Sequence, residues 1–290
     1  MGESRAAAIL VERLSFGFDG NPGRPVLDDL SLAVGENEFA AILGRNGSGK
    51  TTLLKNITGL LRPQGGRILV RGRDGAGMSV AEIAGEIGYV TQDSDNQLFE
   101  QTVYDEVAFA LRRVRRKPGG GGEVRRKVGE ALETMGLWER RDAFPPALCK
   151  ADRVRTVFAA VLAMGARILL LDEPLAGQDR AGSRTMMGTL ADLHRKGYTV
   201  ILVTHNIRVA AEYAQRLVVI DSGRVHMDGT PAELFERDLE LARAGILLPR
   251  VSGLSRKLRG RIPIERTAVS PMELANTLTA LSLDARVHKR

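Results

Sequence analysis

Short apolar runs alternate with amphipathic stretches along this chain, as expected where buried strands alternate with surface helices in a wound α/β sheet. The apolar runs predict strands, which we place at residues 8–15, 39–43, 67–70, 168–171, 199–203 and 216–220. The amphipathic stretches predict helices, which we place at residues 50–58, 124–135, 179–196 and 208–213. None of the apolar runs approaches the roughly 20 residues that cross a bilayer, so we expect no membrane-spanning segment.

Helical patterning dominates from about residue 93 to residue 163, which predicts a helical subdomain inserted into a sheet domain of residues 1–235. Beyond it we expect a small helical appendage over residues 236–290. Thr-Pro-Ala-Glu at 230–233 and Ser-Pro-Met-Glu at 270–273 both have a hydroxyl residue, then proline, then a glutamate three positions after the hydroxyl. This is the pattern of a capped helix start.

The composition fits a globular protein with acidic partners. Hydrophobic residues make up 43% of the 290 residues, which is ample for an ordinary core. A net charge of +7 and a pI near 9.8 favour nucleotides, anionic lipid or nucleic acid. Aromatic residues are only 4% of the chain, and no aromatic-rich basic segment is present to stack on single-stranded nucleic acid. Nucleic acid is therefore the least favoured partner.

Residues 112–128 combine eight basic residues with four consecutive glycines, which predicts a flexible basic connector. Two interpretations stay open for it, a solvated loop without a partner and a contact with anionic lipid. The N-terminal residues lack the pattern of a secretory signal, and the single cysteine, Cys149, cannot form an internal disulfide. We therefore expect the chain to work in the cytoplasm.

A glycine-rich loop follows the strand at 39–43 directly and leads into the helix at 50–58. Its residues are Gly44, Arg45, Asn46, Gly47, Ser48, Gly49, Lys50, Thr51 and Thr52. The spacing matches a P-loop in its required context of strand, loop and helix, which a chance glycine-rich turn does not explain. Such glycines let backbone N–H groups close around the phosphates of ATP. Lys50 would neutralise the β and γ oxygens, and the Thr51 hydroxyl would ligate Mg²⁺.

Two carboxylates end the apolar run at 168–171. Asp172 would hold Mg²⁺ through its hydration shell, and Glu173 would polarise the attacking water. Alone, this pair would be a solvated turn, but together with the P-loop it predicts a Walker B motif. A lone histidine is more often structural than catalytic, but His205 lies at the tip of the strand at 199–203, where ligands bind in such folds, and so can reach a γ-phosphate. Gln92, taken alone, is a loop glutamine.

The order of these motifs resembles the nucleotide-binding subunit of ABC transporters over essentially the whole chain. The resemblance implies an α/β P-loop ATPase on the cytoplasmic side of the cell membrane, with ATP and Mg²⁺ as cofactors and hydrolysis coupled to transport. It also implies that Gln92 is the Q-loop residue that senses Mg²⁺, Asp179 the D-loop residue and His205 the switch histidine. Phe18 lies where the family has the aromatic ring that stacks on adenine.

Residues 95–111 and two tail segments, 240–260 and 267–278, are similar to the ATPases of energy-coupling factor transporters, which import vitamins and transition-metal ions such as cobalt and nickel. This narrower resemblance implies three partners: a second ABC ATPase, a membrane-embedded coupling subunit and a substrate-binding membrane protein. It implies that residues 92–99 receive a helix of the membrane subunit and that the appendage lies at the contact between ATPases. The transported solute is not readable from the chain, because the membrane protein binds it.

One motif departs from the family pattern. The signature LSGGQ is expected 24 residues before the Walker B aspartate, and the chain there has Leu148, Cys149, Lys150, Ala151 and Asp152. Cys149 is a poor hydrogen-bond donor, and Lys150 and Ala151 add side chains where close approach needs glycine. We also expect Asp152 to bring negative charge near the phosphates, partly offset by Lys150.

In the ABC arrangement, ATP is held between the P-loop of one subunit and the signature of the other. The degenerate signature therefore favours an unequal heterodimer, in which the partner supplies a full signature and this chain supplies the P-loop, Glu173 and His205. An inactive homodimer, an ATPase of another ABC class and a nucleotide-binding regulator without turnover stay open. A cassette that works on DNA or ribosomes is disfavoured, because neither a long coiled coil nor a second cassette is present.

Overall fold

The computed structural model describes residues 7–18, 25–114, 121–264 and 266–287. The strands, in chain order, are β1 (Ala7–Phe16), β2 (Leu27–Gly35), β3 (Phe39–Leu43), β4 (Gly65–Val70), β5 (Arg73–Asp74), β6 (Ile87–Val90), β7 (Ile168–Asp172), β8 (Thr199–Val203), β9 (Arg216–Asp221) and β10 (Arg224–Gly229). The helices are α1 (Lys50–Ile57), α2 (Val80–Glu86), α3 (Val103–Val114), α4 (Gly121–Thr134), α5 (Lys150–Met164), α6 (Arg180–Arg195), α7 (Ile207–Tyr213), α8 (Pro231–Glu236), α9 (Asp238–Arg243), α10 (Arg250–Arg259) and α11 (Pro271–Val287).

All the strands and helices predicted from the apolar pattern are present, and their ends differ from the predicted ends by a few residues at most. β2, β5, β6 and β10 were not predicted. The predicted connector at 112–128 is helical at both ends, because α3 continues to Val114 and α4 begins at Gly121. The rest of that connector, residues 115–120, lies outside the described residues.

Two sheets form the centre of the molecule. The larger has the strand order β10-β9-β3-β8-β7-β6, in which β3 pairs in parallel with β8 and β9, and β7 pairs in parallel with β6 and β8. The smaller is antiparallel, with the order β2-β1-β4-β5. Because β3, β6, β7 and β8 run in the same direction, the residues that follow them meet at one edge of the larger sheet.

β3 shows how the core is divided between the faces of the larger sheet. Phe39, Ala41 and Leu43 face a core shared with the helices α3 to α6, whereas Ala40 and Ile42 face a second core shared with α1 and the smaller sheet. All five side chains are buried, as expected for a central strand covered on both faces. The helix that follows the P-loop thus lies between the two sheets.

The helices α3, α4 and α5 lie between β6 and β7 in the chain and pack together. This is the section for which we predicted an inserted helical subdomain. The described part of the chain has no helix with the length and apolar character needed to cross a membrane.

The C-terminal helices are joined to the sheet domain and also have a small core of their own. Leu241 and Ala244 are buried in the large core, whereas Ile264, Ala268 and Leu274 form a separate cluster. The expected capping box is present at the start of α8. At the start of α11 the serine cap forms, but the glutamate accepts the N–H of the residue before that serine.

Candidate nucleotide-binding and catalytic site

The loop between β3 and α1 has a shape that only glycine allows at two positions. At Gly44, a Cβ atom would lie 2.3 Å from the carbonyl oxygen of Ile220 and 2.6 Å from the hydroxyl of Ser48. At Gly49, which has φ +104°, it would lie 2.8 Å from the side chain of Leu27. The glycines therefore allow the loop to close tightly before the first turn of α1, where backbone N–H groups are free to bind an anion.

Lys50 lies beneath this loop. Its Nζ donates hydrogen bonds to the carbonyl oxygens of Gly44 and Arg45, both at 2.9 Å. Burial lowers the pKa of Lys50, and the nearby carboxylates of Glu173 and Asp172 oppose that change. The ammonium group is thus held at the loop by neutral carbonyl oxygens, which anionic phosphate oxygens would replace with stronger hydrogen bonds between opposite charges.

The other predicted residues of the loop divide into an exposed tip and a buried base. Arg45, Asn46 and Gly47 are exposed, whereas Ser48 and Thr52 are buried. The hydroxyl oxygen of Ser48 has no hydrogen-bond partner within the described protein. A buried hydroxyl without a partner is unusual, and a phosphate oxygen in the loop would satisfy it.

Asp172 ends β7 directly behind Thr51. The Thr51 hydroxyl donates a 2.7 Å hydrogen bond to Asp172 Oδ2. Burial raises the pKa of Asp172, while the bond from Thr51 and the charge of Lys50 oppose the rise. Burial and the charge of Asp172 also raise the pKa of Tyr89 on the adjacent strand β6, a neighbour that sequence reasoning missed.

Thr51 and Asp172 are the oxygen donors that fit Mg²⁺ here. Among the residues described, no cluster of three or more His, Cys, Asp or Glu side chains is arranged to hold a metal ion. A hydroxyl and one carboxylate are nevertheless a suitable donor set, because Mg²⁺ keeps several waters and takes further ligands from substrate phosphates.

Glu173 and His205 meet on the loops after the neighbouring strands β7 and β8. Glu173 Oε2 lies 3.0 Å from His205 Nδ1, and the glutamate side chain is only 12% exposed whereas the histidine is 74% exposed. Glu173 has φ +49°, a conformation that costs a non-glycine residue free energy and is concentrated at functional sites. Its N–H donates to the carbonyl of Val203 at 3.0 Å, which holds that conformation.

Three further predicted residues differ in their exposure and contacts. Gln92 is exposed on the segment after β6. Asp179 caps α6 by accepting the N–H of Gly182 at 2.7 Å. Phe18 is 55% exposed, with its ring edge-on to Phe16 at a centroid distance of 5.1 Å. An exposed aromatic face is suited to stacking on a base.

The structure corrects the expectation for Asp152. Its side chain is buried and forms ion pairs with Arg140 and, at 3.2 Å, with Arg155. The thiol of Cys149 donates to Asp152 Oδ2 at 3.3 Å. Asp152 therefore turns inward and is neutralised, instead of adding negative charge at the surface of the signature. Arg140 carries no recognisable sequence signal, because its pairing depends on the fold of the helical section.

The outward face of the degenerate signature is basic. Cys149 and Lys150 are exposed, whereas Leu148 is buried and Ala151 is half-buried. The Lys150 Nζ lies 3.1 Å from the position of a Cβ atom built on Gly177. The ammonium group thus lies beside the segment that leads to Asp179, and the signature and the predicted D-loop are neighbours within one chain.

The loop geometry, the Thr51–Asp172 pair and the Glu173–His205 pair define a P-loop nucleotide hydrolase. A family model described as ABC transporter matches residues 27–176, and the chain belongs to the ABC transporter family. Its fold is thus the ABC ATPase form of the α/β P-loop fold, as predicted, and its cassette domain binds ATP.

The chain is similar to the energy-coupling factor transporter ATP-binding protein EcfA2 of Symbiobacterium thermophilum, with 42% identity over 83% of this chain and 85% of that protein. It is 39% identical over 252 residues to a protein of Methanosarcina acetivorans described as an ABC transporter ATP-binding protein. That match covers 87% of this chain but only 40% of the relative, so the chain spans well under half the length of that relative.

Solved structures agree with these relatives. cbiO1 from Clostridium perfringens, described as part of the ABC transporter complex cbiONQ, superimposes with a TM-score of 0.74 at 32% identity over 89% of this chain and 97% of that chain. A dimeric ATP-binding cassette in a post-hydrolysis state with ADP and Pi superimposes with a TM-score of 0.70 at 26% identity over 77% and 98% of the two chains.

Proposed function

We propose that this chain is the ATP-hydrolysing subunit of an energy-coupling factor type ABC importer for a vitamin or a transition-metal ion. It would work as a peripheral protein on the cytoplasmic side of the cell membrane. The observation that carries the proposal is the meeting of the phosphate-binding loop, Asp172, Glu173 and His205 at one sheet edge, in a chain similar to EcfA2 and cbiO1.

The residues divide the work of hydrolysis. The loop and Lys50 would bind the β- and γ-phosphates, and Thr51 and Asp172 would hold Mg²⁺, which neutralises charge on the phosphate oxygens when bound. Glu173 would orient the attacking water and accept its proton. His205, 3.0 Å from Glu173, would fix the direction of that carboxylate and approach the γ-phosphate.

An apolar groove is suited to a membrane partner. This docking groove is a cavity of about 270 Å³ beside the segment after Gln92, with Leu60, Val80 and Phe99 each more than half exposed. Glu106, which is buried, accepts the N–H of Phe99 at 2.8 Å and so fixes one wall. Exposed apolar side chains around a cavity favour an amphipathic helix as occupant, and we assign that helix to the membrane-embedded coupling subunit.

The degenerate signature favours a second, different ATPase as partner. Lys150 and Ala151 replace two glycines, and the thiol of Cys149 is turned to Asp152 at 3.3 Å. In a homodimer both ATP sites would face this surface, although the loop, Asp172 and Glu173 are intact. A partner with a full signature would complete one hydrolytic site on this chain. ATP bound by the partner's P-loop would face the basic surface of this chain, in a site that hydrolyses ATP slowly or only binds it.

Purification of the assembled complex through a tag on this chain tests the proposal. We expect a second ABC ATPase and membrane proteins to co-purify, and the complex to show ATP-dependent solute uptake in vesicles. In a Cys149→Ser background, Val80→Cys should cross-link to a membrane protein, whereas Thr185→Cys, exposed on α6, should not. The proposal is wrong if the tag recovers only copies of this chain, or if this chain alone hydrolyses ATP as fast as the assembled complex.

A further inference from the structure

The helix α9 ends against the phosphate-binding loop. Gly245 donates its N–H to the carbonyl of Ala242 at 3.0 Å, and Ile246 donates its N–H to the carbonyl of Leu241 at 2.8 Å. These two bonds are the usual closure of a helix at a left-handed residue, and Gly245 has φ +73°. The closure turns the chain beside Arg45, the second residue of the phosphate-binding loop.

Gly245 and Arg45 leave no space between them. A Cβ atom built at Gly245 would lie 2.8 Å from both Cγ and Cδ of Arg45 and 3.1 Å from its Nε. Because Cγ is near the root of the side chain, moving only the guanidinium does not relieve the overlap. A side chain at position 245 would therefore force Arg45 either into another χ1 rotamer or into a shifted backbone position.

Arg45 is also a support of the phosphate-binding groups. Its carbonyl oxygen accepts hydrogen bonds from Nζ of Lys50 at 2.9 Å and from the N–H of Ser48 at 3.1 Å. Movement of the Arg45 backbone would thus move two groups. These are the ammonium group of Lys50, which would neutralise phosphate, and Ser48, whose buried hydroxyl has no hydrogen-bond partner within the described protein. A continuous series of contacts joins Gly245 to the nucleotide site.

The end of α9 is fixed from the opposite side. Leu241 and Ala244 are 0% and 1% exposed and belong to the large core, so the helix end does not retreat from Arg45 without opening that core. Just beyond it, Leu247 is 78% exposed. Leu247, Arg45 and His205 line one open cleft of about 680 Å³.

We propose that Gly245 is a positioning residue for the phosphate-binding loop, acting through Arg45, and that the C-terminal helices which follow it are energetically linked to nucleotide binding. The proposal rests on ATP binding by the loop and not on transport or on a second ATPase. By reciprocity, a nucleotide that fixes Arg45 also stabilises the segment that begins at Gly245.

Gly245→Ala in the full chain tests the contact, with Gly136→Ala as the matched control. Gly136 also has positive φ, +66°, just beyond the end of α4, but nothing lies within 4 Å of its built Cβ. Both variants therefore introduce backbone strain, and only Gly245→Ala adds the overlap. We expect Gly245→Ala to raise the Kd for a fluorescent ATP analogue about tenfold more than Gly136→Ala does.

Removing the other side of the contact should cancel the effect. In an Arg45→Ala background, Gly245→Ala should change nucleotide affinity no more than Gly136→Ala does, because the overlapping atoms are gone. Equal effects of the two glycine variants on affinity in the unaltered chain would overturn the proposal. An unaltered chain that does not bind ATP at all would instead contradict the proposed function.

Hydrogen exchange gives a measurement that does not depend on the folding of the Gly245 variant. Adding the ATP analogue to the unaltered chain should slow amide exchange in residues 245–260, and Arg45→Ala should abolish that protection while the nucleotide is kept saturating. Exchange in residues 245–260 that is the same with and without nucleotide would overturn the linkage.

Discussion

Replacing Glu173 by glutamine should separate ATP binding from hydrolysis. The amide has nearly the same volume as the carboxylate, so no cavity forms around a side chain that is only 12% exposed. The backbone bond to Val203 that holds the left-handed conformation is unaffected. The change therefore removes a negative charge and a proton acceptor, and little else.

The size of the effect follows from the role of the carboxylate. A positioned general base contributes about 10²- to 10⁴-fold, so we expect the rate of the chemical step to fall by that factor, or by about 2.7–5.4 kcal/mol. The carboxylate of Glu173 is close enough to oppose the lowering of the Lys50 pKa, so it also repels a γ-phosphate bound there. Its loss should therefore leave ATP affinity unchanged or slightly higher.

Single-turnover hydrolysis of labelled ATP in the assembled complex measures the chemical step, and equilibrium titration measures binding. Glu133→Gln is a suitable control, because it makes the same change at an exposed position on α4. A Glu173→Gln complex that turns over within threefold of the Glu133→Gln complex would refute the assigned role. A large loss of ATP binding would equally refute it, because the carboxylate would then be part of the phosphate site.

Three further changes test other parts of the site and fold. Thr51→Val removes the 2.7 Å hydrogen bond to Asp172 and should weaken ATP binding in the presence of Mg²⁺ much more than in its absence; equal losses would contradict a Mg²⁺ site. Asp152→Asn removes the charge of a buried carboxylate with two arginine partners and should lower the free energy of unfolding in urea by about 1–3 kcal/mol, with ATP binding to the isolated chain unchanged. The hydrogen bond from Arg259 lowers the pKa of Glu236 to about 2. The stability that this pair contributes to the fold is therefore complete above the ordinary glutamate pKa and is lost as the pH falls toward 2. Glu236→Gln should therefore be less stable than the unaltered chain at pH 7 and nearly equal to it near pH 2, and a difference independent of pH would exclude this ion pair as its cause.

The parts of the site that follow strands directly were predictable from the sequence. Lys50 and Glu173 each belong to a short contiguous motif whose context is an apolar run of four or five residues. Parallel strands bring such motifs to one sheet edge whatever the distance between them in the chain. β2 was missed although its buried positions alternate, because acidic residues near its start obscured that alternation.

Contacts between distant residues could not be predicted in this way. Gly245 and Arg45 are separated by most of the chain, and neither position has a local pattern that indicates the other. The break after α9 is readable from its glycine, but the direction in which the chain turns there depends on how Leu241 is buried. Tertiary packing thus decides which helix-ending glycine is merely a helix end and which one touches the nucleotide site.

The inward turn of Asp152 changes what the degenerate signature implies. A buried carboxylate introduced by random substitution would have no partners, and an uncompensated buried charge costs several kcal/mol of folding free energy. Here two arginines neutralise it and a thiol donates to it. The start of α5 is therefore a folded structure of its own, and the departure from the family pattern that a bound nucleotide would meet is confined to Cys149, Lys150 and Ala151. This surface is folded and carries one exposed positive charge. It therefore favours a specialised half-site, which would hold the phosphates of ATP bound by the partner subunit, and disfavours an inactive subunit whose signature has decayed.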